Sequence, residues 1–329
     1  LTASMVTLKA TSETYTGKEI KPEVEVKDGT TALVEGKNYE VTYTENVNVG
    51  TATVTINGIG SYGGKVEKTF KITAKKLDAS QVNLKENQLT YSGNALKPEV
   101  EVKDGETVLA ADKDYSVTYA SNTNAGTATV TITGKGNYQG IVEKSFTIKA
   151  KALTEEMAAL ETDSAEYTGK AITPKVSVKD GEKALVKDAD YTVAYAGNTN
   201  AGTATVTIAG KGNYAESIQK KFVITAKKLD ASMVTLEKDS FVYTGKALTP
   251  KVTVKVGTTV LKENTDYTVT YDANVNPGTA TVTVEGKGNY AGTIGKEFKI
   301  TAKELTASMV TLKATSETYT GKEIKPEVE

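Results

Sequence analysis

Four lysines stand where covalent chemistry is conceivable. Lys68, Lys144, Lys220 and Lys296 each precede a phenylalanine by two residues (Phe70, Phe146, Phe222, Phe298), so in an extended strand each shares that phenylalanine's face. An inward lysine amine can condense with an asparagine or aspartate side chain to give an isopeptide bond, releasing ammonia or water. Asn38, Asp114, Asp190 and Asp266 are the candidate partners. The reaction needs a buried acid nearby, and the neighbouring column reads Glu67, Glu143, Gln219 and Gly295, so no acid is constant. The plainer reading is preferred: the lysine stem covers apolar surface at the end of a sheet while its amine reaches water.

Other chemistry is scarce. The chain has no His and no Cys, which removes Ser-His-Asp triads, thiol chemistry and thiolate metal sites. No carboxylate pair stands apart from the general pattern as a glycosidase pair would. Gly134-Lys135-Gly136-Asn137-Tyr138-Gln139-Gly140 resembles a phosphate-binding glycine loop, but such a loop must lead into a helix N-terminus. This one leads into a strand, so it is read as a turn. Asn122-x-Asn124 and Asn198-x-Asn200, with Asp190 nearby in sequence, invite comparison with calcium ligands. Calcium loops gather several carboxylates, and amides beside glycine are more simply turn formers. The expectation is a protein without catalytic residues, metal or cofactor.

The elements that hold these residues come from a repeat. Tyr15, Tyr91, Tyr167, Tyr243 and Tyr319 each open a Tyr-Thr/Ser-Gly segment, 76 residues apart. Seven residues later stands a proline (Pro22, Pro98, Pro174, Pro250, Pro326). Tyr39/Tyr43 recurs as Tyr115/Tyr119, Tyr191/Tyr195 and Tyr267/Tyr271. Gly-Thr-Ala-Thr-Val-Thr starts at Gly50, Gly126, Gly202 and Gly278, and a further tyrosine follows at 62, 138, 214 and 290. Periodicity of this kind dictates architecture. The expected domains are 1–76, 77–152, 153–228 and 229–304, with 305–329 the start of a fifth. Residues 305–329 reproduce residues 1–25 letter for letter, whereas the second to fourth repeats differ from the first at many positions. The exact period is therefore 304 residues. The restart reads as a window on a longer array; an artificial sequence or a strand exchanged between neighbours would explain it too.

Within each repeat the apolar residues alternate. Tyr39, Val41 and Tyr43 share a face, as do Ala52, Val54 and Ile56, with Thr and Glu between them. That is the pattern of strands with one wet face. Asp28-Gly29, Asp104-Gly105 and Asp180-Gly181 are hairpin dipeptides, and Val256-Gly257 keeps only the glycine. No stretch has convincing helical periodicity; Glu155–Leu160 comes nearest. Six or seven short strands per repeat would leave one sheet with an apolar face in water, so two sheets must pack. The expected fold is all-β: tandem small Ig-like β-sandwich modules in an extended rod, with a β-grasp module hiding a helix as the lesser alternative. The joints, such as Phe70 to Leu77, contain neither Gly nor Pro and are as short as an intradomain loop. The four tyrosine columns are read as core, with hydroxyls reaching the sheet edge, in preference to a carbohydrate-binding ladder.

The motifs Tyr-Thr-Gly-Lys, Pro-x-Val-x-Val-Lys-Asp-Gly, Asp-Tyr-x-Val-x-Tyr, Asn-x-Asn-Ala-Gly-Thr-Ala-Thr-Val-Thr-Ile and Gly-Lys-Gly-Asn-Tyr resemble the bacterial Ig-like tandem repeats of large Gram-positive-type cell-surface and secreted proteins. The resemblance covers the whole chain. It implies an extracellular stalk or spacer at the bacterial surface, structural and not enzymatic. Departures such as Asn38 for Asp, Asn94 for Lys and Pro277 for Ala read as cosmetic. A net charge of −1 gives no pull toward nucleic acid, and no apolar run is long enough to span a bilayer. The expected partners are neighbouring repeats. An adhesive module for a host or wall ligand and a self-assembling filament are the alternatives.

Overall fold

A computed structural model describes residues 1–329. In the first repeat, strands β1 (Val6–Leu8), β3 (Val24–Asp28) and β4 (Thr31–Ala32) form an antiparallel three-stranded sheet in the order β1-β3-β4. Strands β2 (Ser12–Thr14), β5 (Tyr39–Thr44), β6 (Gly50–Gly58) and β7 (Lys65–Thr73) form a four-stranded sheet in the order β2-β7-β6-β5. There β2 runs parallel to β7 and the other pairs are antiparallel. The chain crosses between sheets after β1, after β2 and again after β4, which makes the unit a sandwich. The same two sheets recur in the second, third and fourth repeats. The chain is all-β with short 3-10 turns and no α-helix, so the β-grasp alternative with its hidden helix is overturned. The segment at 155–160, nearest to helical in sequence, is a 3-10 turn (Glu155–Met157) followed by a strand (Ala158–Leu160).

The period-two pattern works as the sequence implies. Ala52, Val54 and Ile56 on β6 are completely buried. They sit between Phe70 and Val66 on β7 and Tyr43 and Val41 on β5 by register. Val6, Ile20, Val26 and Leu33 close the core from the other side. Gly29, with φ +61°, lets the β3–β4 hairpin turn directly after Asp28, a backbone that glycine adopts without steric cost. Tyr43 donates its hydroxyl to the Pro22 carbonyl at 2.7 Å, and Tyr119, Tyr195 and Tyr271 do the same to Pro98, Pro174 and Pro250 at 2.6–2.7 Å. Each phenol thus reaches out of the four-stranded sheet and satisfies a carbonyl in the segment leading to the other sheet.

The chain divides into two compact units. One contains residues 1–153 together with 188–191 and 210–216; the other contains 154–187, 192–209 and 217–329. In the second unit, residues 305–329 keep a 3-10 turn (Ala307–Met309) and a Leu312–Val328 bridge, the counterpart of the β1–β3 pairing. All of them but Ala314 are exposed. The same letters at 1–25 bury Val6 and Ile20. Identical sequence meets two environments, because two short strands cannot bury an apolar face by themselves.

Candidate functional site

The sequence-predicted lysines lie in the middle of the four-stranded sheet. Register puts Lys68 in one row with Val54 and Tyr43, while Asn38 precedes Tyr39 at the far end of β5. Five residues of strand, about 16 Å, separate the two along the sheet. The partner side chains are already engaged: Asn38 Oδ1 accepts from the Val34 N–H at 3.0 Å, and Asp114 and Asp266 accept from Ala110 and Lys262 at 2.8 Å. Asn38 thus replaces aspartate without losing this bond. Lys68, Lys144, Lys220 and Lys296 are half-buried, as are Asn38, Asp114, Asp190 and Asp266.

A different constellation converges where one repeat meets the next. The last residues of the first repeat form strand β8 (Lys75–Lys76), which runs parallel to Tyr138–Gln139 of the second. Lys75 N–H donates to Asn137 O at 3.0 Å and Leu77 N–H to Gln139 O at 2.9 Å. The Gln139 amide donates to Ala74 O at 2.7 Å. The turn presenting Asn137 and Tyr138 depends on Gly134, where a Cβ would lie 2.6 Å from Gln139 N. The glycine-rich segment is therefore a turn, and its function is to offer backbone to the preceding repeat.

Asn137 clasps the same joint with its side chain. Its Oδ1 accepts from the Val49 N–H at 2.9 Å and its Nδ2 donates to Asn48 Oδ1 at 3.0 Å. Asn213 makes the same two bonds to Ala125 (2.7 Å) and Asn124 (3.0 Å). Asn289 makes them to Ala201 (2.7 Å) and Asn200 (3.1 Å). The loop that supplies Asn48 is anchored by buried Asn46, whose Nδ2 donates to Ile20 O at 3.1 Å, and Asn122, Asn198 and Asn274 repeat that anchor. The Asn-x-Asn pairs are thus more than turn formers. The first amide pins the loop and the second receives the next repeat.

Tyrosine and charge complete the joint. Tyr15 packs edge-on against Tyr138, Tyr91 against Tyr214 and Tyr167 against Tyr290, with centroids 5.5–5.6 Å apart. Two of the tyrosine columns therefore meet across joints while also packing on the repeats' cores, as the core reading expects. The Tyr138 hydroxyl donates to Asp104 Oδ2 at 3.1 Å, and Lys75 Nζ reaches Asp104 Oδ1 at 2.6 Å. Burial, and then the Asp104 charge beside it, push the Tyr138 phenol far above its ordinary value. The fourth repeat has Val256 in place of that aspartate, and there Lys227 pairs with Glu166 at 2.8 Å. Each repeat thus has a tip, its glycine-rich turn and aspartate, and a base, its first Tyr, its Asn-x-Asn loop and its closing Lys.

No family model matches the chain, and no curated protein matches it. Among solved structures it is similar to invasin, a bacterial integrin-binding protein, at 12% identity over 94% of this chain and 81% of that one, with a TM-score of 0.36. Sidekick-1 immunoglobulin domains 1–5 align at 10% identity over 89% and 79%, with a TM-score of 0.22. Domains 4–9 of the surface layer protein SbsC align at 12% identity over 90% and 63%, with a TM-score of 0.18. No helix here is long and apolar enough to cross a membrane.

Proposed function

We infer that the chain is a spacer: a series of Ig-like sandwich repeats, of the kind found in stalks at bacterial surfaces, whose work is to hold one repeat in a fixed relation to the next outside the cell. The folding units are the repeats 1–76, 77–152, 153–228 and 229–304. The observation that carries this reading is the joint. A parallel two-residue ladder, a two-bond asparagine clasp and an edge-on tyrosine pair recur with the same atoms at Asn137, Asn213 and Asn289. A flexible linker between independent binding modules has no use for such bonds, since each one orders side chains at an entropic cost.

The test is a distance distribution between paired spin labels, one on an exposed strand position of the first repeat and one on the second. A single narrow distribution in the monomer supports the spacer. A broad one removes it, and concentration-dependent assembly at micromolar protein favours the filament instead.

A further inference from the structure

The joint positions vary together. In the base–tip pairs formed in sequence order, Thr14 goes with Asp104, Thr90 with Asp180, and Glu166 with Val256. One carboxylate is present each time, on one side or the other. The amide clasp likewise has both halves each time: a backbone N–H at Val49, Ala125 or Ala201, and an amide at Asn137, Asn213 or Asn289. Two surfaces fall outside these three pairs. The base of the fourth repeat has Pro277, which has no N–H to donate, with Val242 and Lys303. The tip of the first repeat has Ser61 where the others have asparagine, and it keeps Asp28. The fourth base lacks the backbone donor, and the first tip has only a short serine hydroxyl in place of the amide; the fourth base lacks the carboxylate and the first tip has it.

We propose that the base of the fourth repeat mates with the tip of a copy of the first, in a joint of a second type that keeps the lysine–carboxylate pair and dispenses with the amide clasp. The two surfaces are wrong for every other partner. An asparagine tip set on the fourth base would press its Oδ1 against the Pro277 ring. The Ser61 tip set on any other base would leave the Val49-type N–H without its amide. The first sets an amide oxygen against a ring and the second gives up the amide bond, and mismatches of this kind reject a partner. Tyr62 already donates to Asp28 Oδ2 at 3.3 Å, the arrangement that at Asp104 receives Lys75. Residues 305–329, which repeat 1–25, follow the fourth base directly. Leu305 there is 84% exposed, whereas Leu77, Leu153 and Leu229 in the same column are 2–5% exposed. On this proposal Pro277 is a specificity residue.

The inference rests on the spacer reading of the joints, and the experiment separates the two. Residues 26–76 are appended after Glu329 of the full chain, completing a fifth repeat identical to the first, and amide exchange is followed at 303–305. These amides should slow at least tenfold relative to the unextended chain. Changing Ser61→Asn in the appended copy should reverse that, and adding Pro277→Ala should restore it. Unchanged exchange at 303–305, or better protection from Ser61→Asn alone, overturns the proposal. A second arm needs no extension. In the full chain, Ala125→Pro or Asn213→Ser alone should speed exchange of Lys151 and Leu153 by about tenfold, roughly one lost hydrogen bond. The double variant should exchange no faster than the faster single. Multiplying effects would overturn the match between proline and serine. If 75–77, 151–153 and 227–229 exchange freely in the parent chain, it is the spacer reading that falls, and this inference with it.

Discussion

Tyr15 and Tyr138 lie in successive repeats, yet their rings meet edge-on with centroids 5.5 Å apart and planes at 77°. The contact joins the first tyrosine of one sandwich to the turn tyrosine of the next. Tyr15 also packs against the apolar cluster of the second repeat, beside Leu77, Val82 and Tyr138.

Replacing Tyr15 with Ala should weaken the first joint by about 1 kcal/mol beyond the area lost. Tyr15→Phe should retain the ring contact and nearly all the stability. Exchange of the Leu77 amide, bonded to Gln139 O at 2.9 Å, is the readout, and equal effects from Ala and Phe would contradict the ring contact.

Asn137→Ala should remove both clasp bonds at a cost of about 1–2 kcal/mol. Asn137→Asp keeps an acceptor for Val49 N–H and loses the donor to Asn48, so its effect should fall between Ala and the parent. The measurement is the width of the label–label distance distribution between the first and second repeats, which should broaden in the order parent, Asp, Ala.

Alkaline pH should loosen the same joint. The Tyr138 phenol is raised above its unfolded value of 10.0 by burial and by Asp104, so the folded state holds this proton more tightly than the unfolded one. That stabilisation is complete below about pH 10 and declines as pH rises from there toward the folded value. Tyrosinate absorbance should show Tyr138 ionising late, and Asp104→Asn should bring its titration down. An unchanged titration in that variant would contradict the assigned role of the carboxylate.

Inside the sandwich, Phe70→Ala should cost about 3–5 kcal/mol, since Phe70 is fully buried and leaves a cavity. Tyr43→Phe removes only the bond to Pro22 O at 2.7 Å and should cost about 1 kcal/mol. Denaturation followed by a probe confined to the first repeat would rank the two.

Intact mass should equal the sequence mass. A bond from Lys144, Lys220 or Lys296 to an aspartate would remove one water, and one from Lys68 to Asn38 would remove one ammonia. The half-buried lysines sit about 16 Å along the strands from those partners, so a mass deficit would mean that the sheet register differs from the one described.

The sandwich was legible because its determinants are local. Alternation in Ala52-x-Val54-x-Ile56 needs only a period of two, and Asp28-Gly29 announces its own hairpin. The joint was largely hidden because its partners are far apart in sequence. Asn48 and Asn137 are bound at 3.0 Å, but each by itself is an ordinary turn residue. Four tyrosine columns were visible, yet nothing local to Tyr15 or Tyr138 says that the two meet. The usable signal was the joint departure of Ser61 and Pro277 from their columns, which gains meaning only once base and tip are known to touch.

One further property follows from the pairing of β2 with β7. These strands lie near the two ends of a repeat, and they run parallel, with Ser12 beside Lys71 and Thr14 beside Thr73. Tension applied through the neighbouring repeats draws β2 and β7 in opposite directions along their common axis. Their hydrogen bonds are then sheared together instead of being unzipped one after another. A repeat built this way should resist a pull along the chain more than its short strands and small core would suggest.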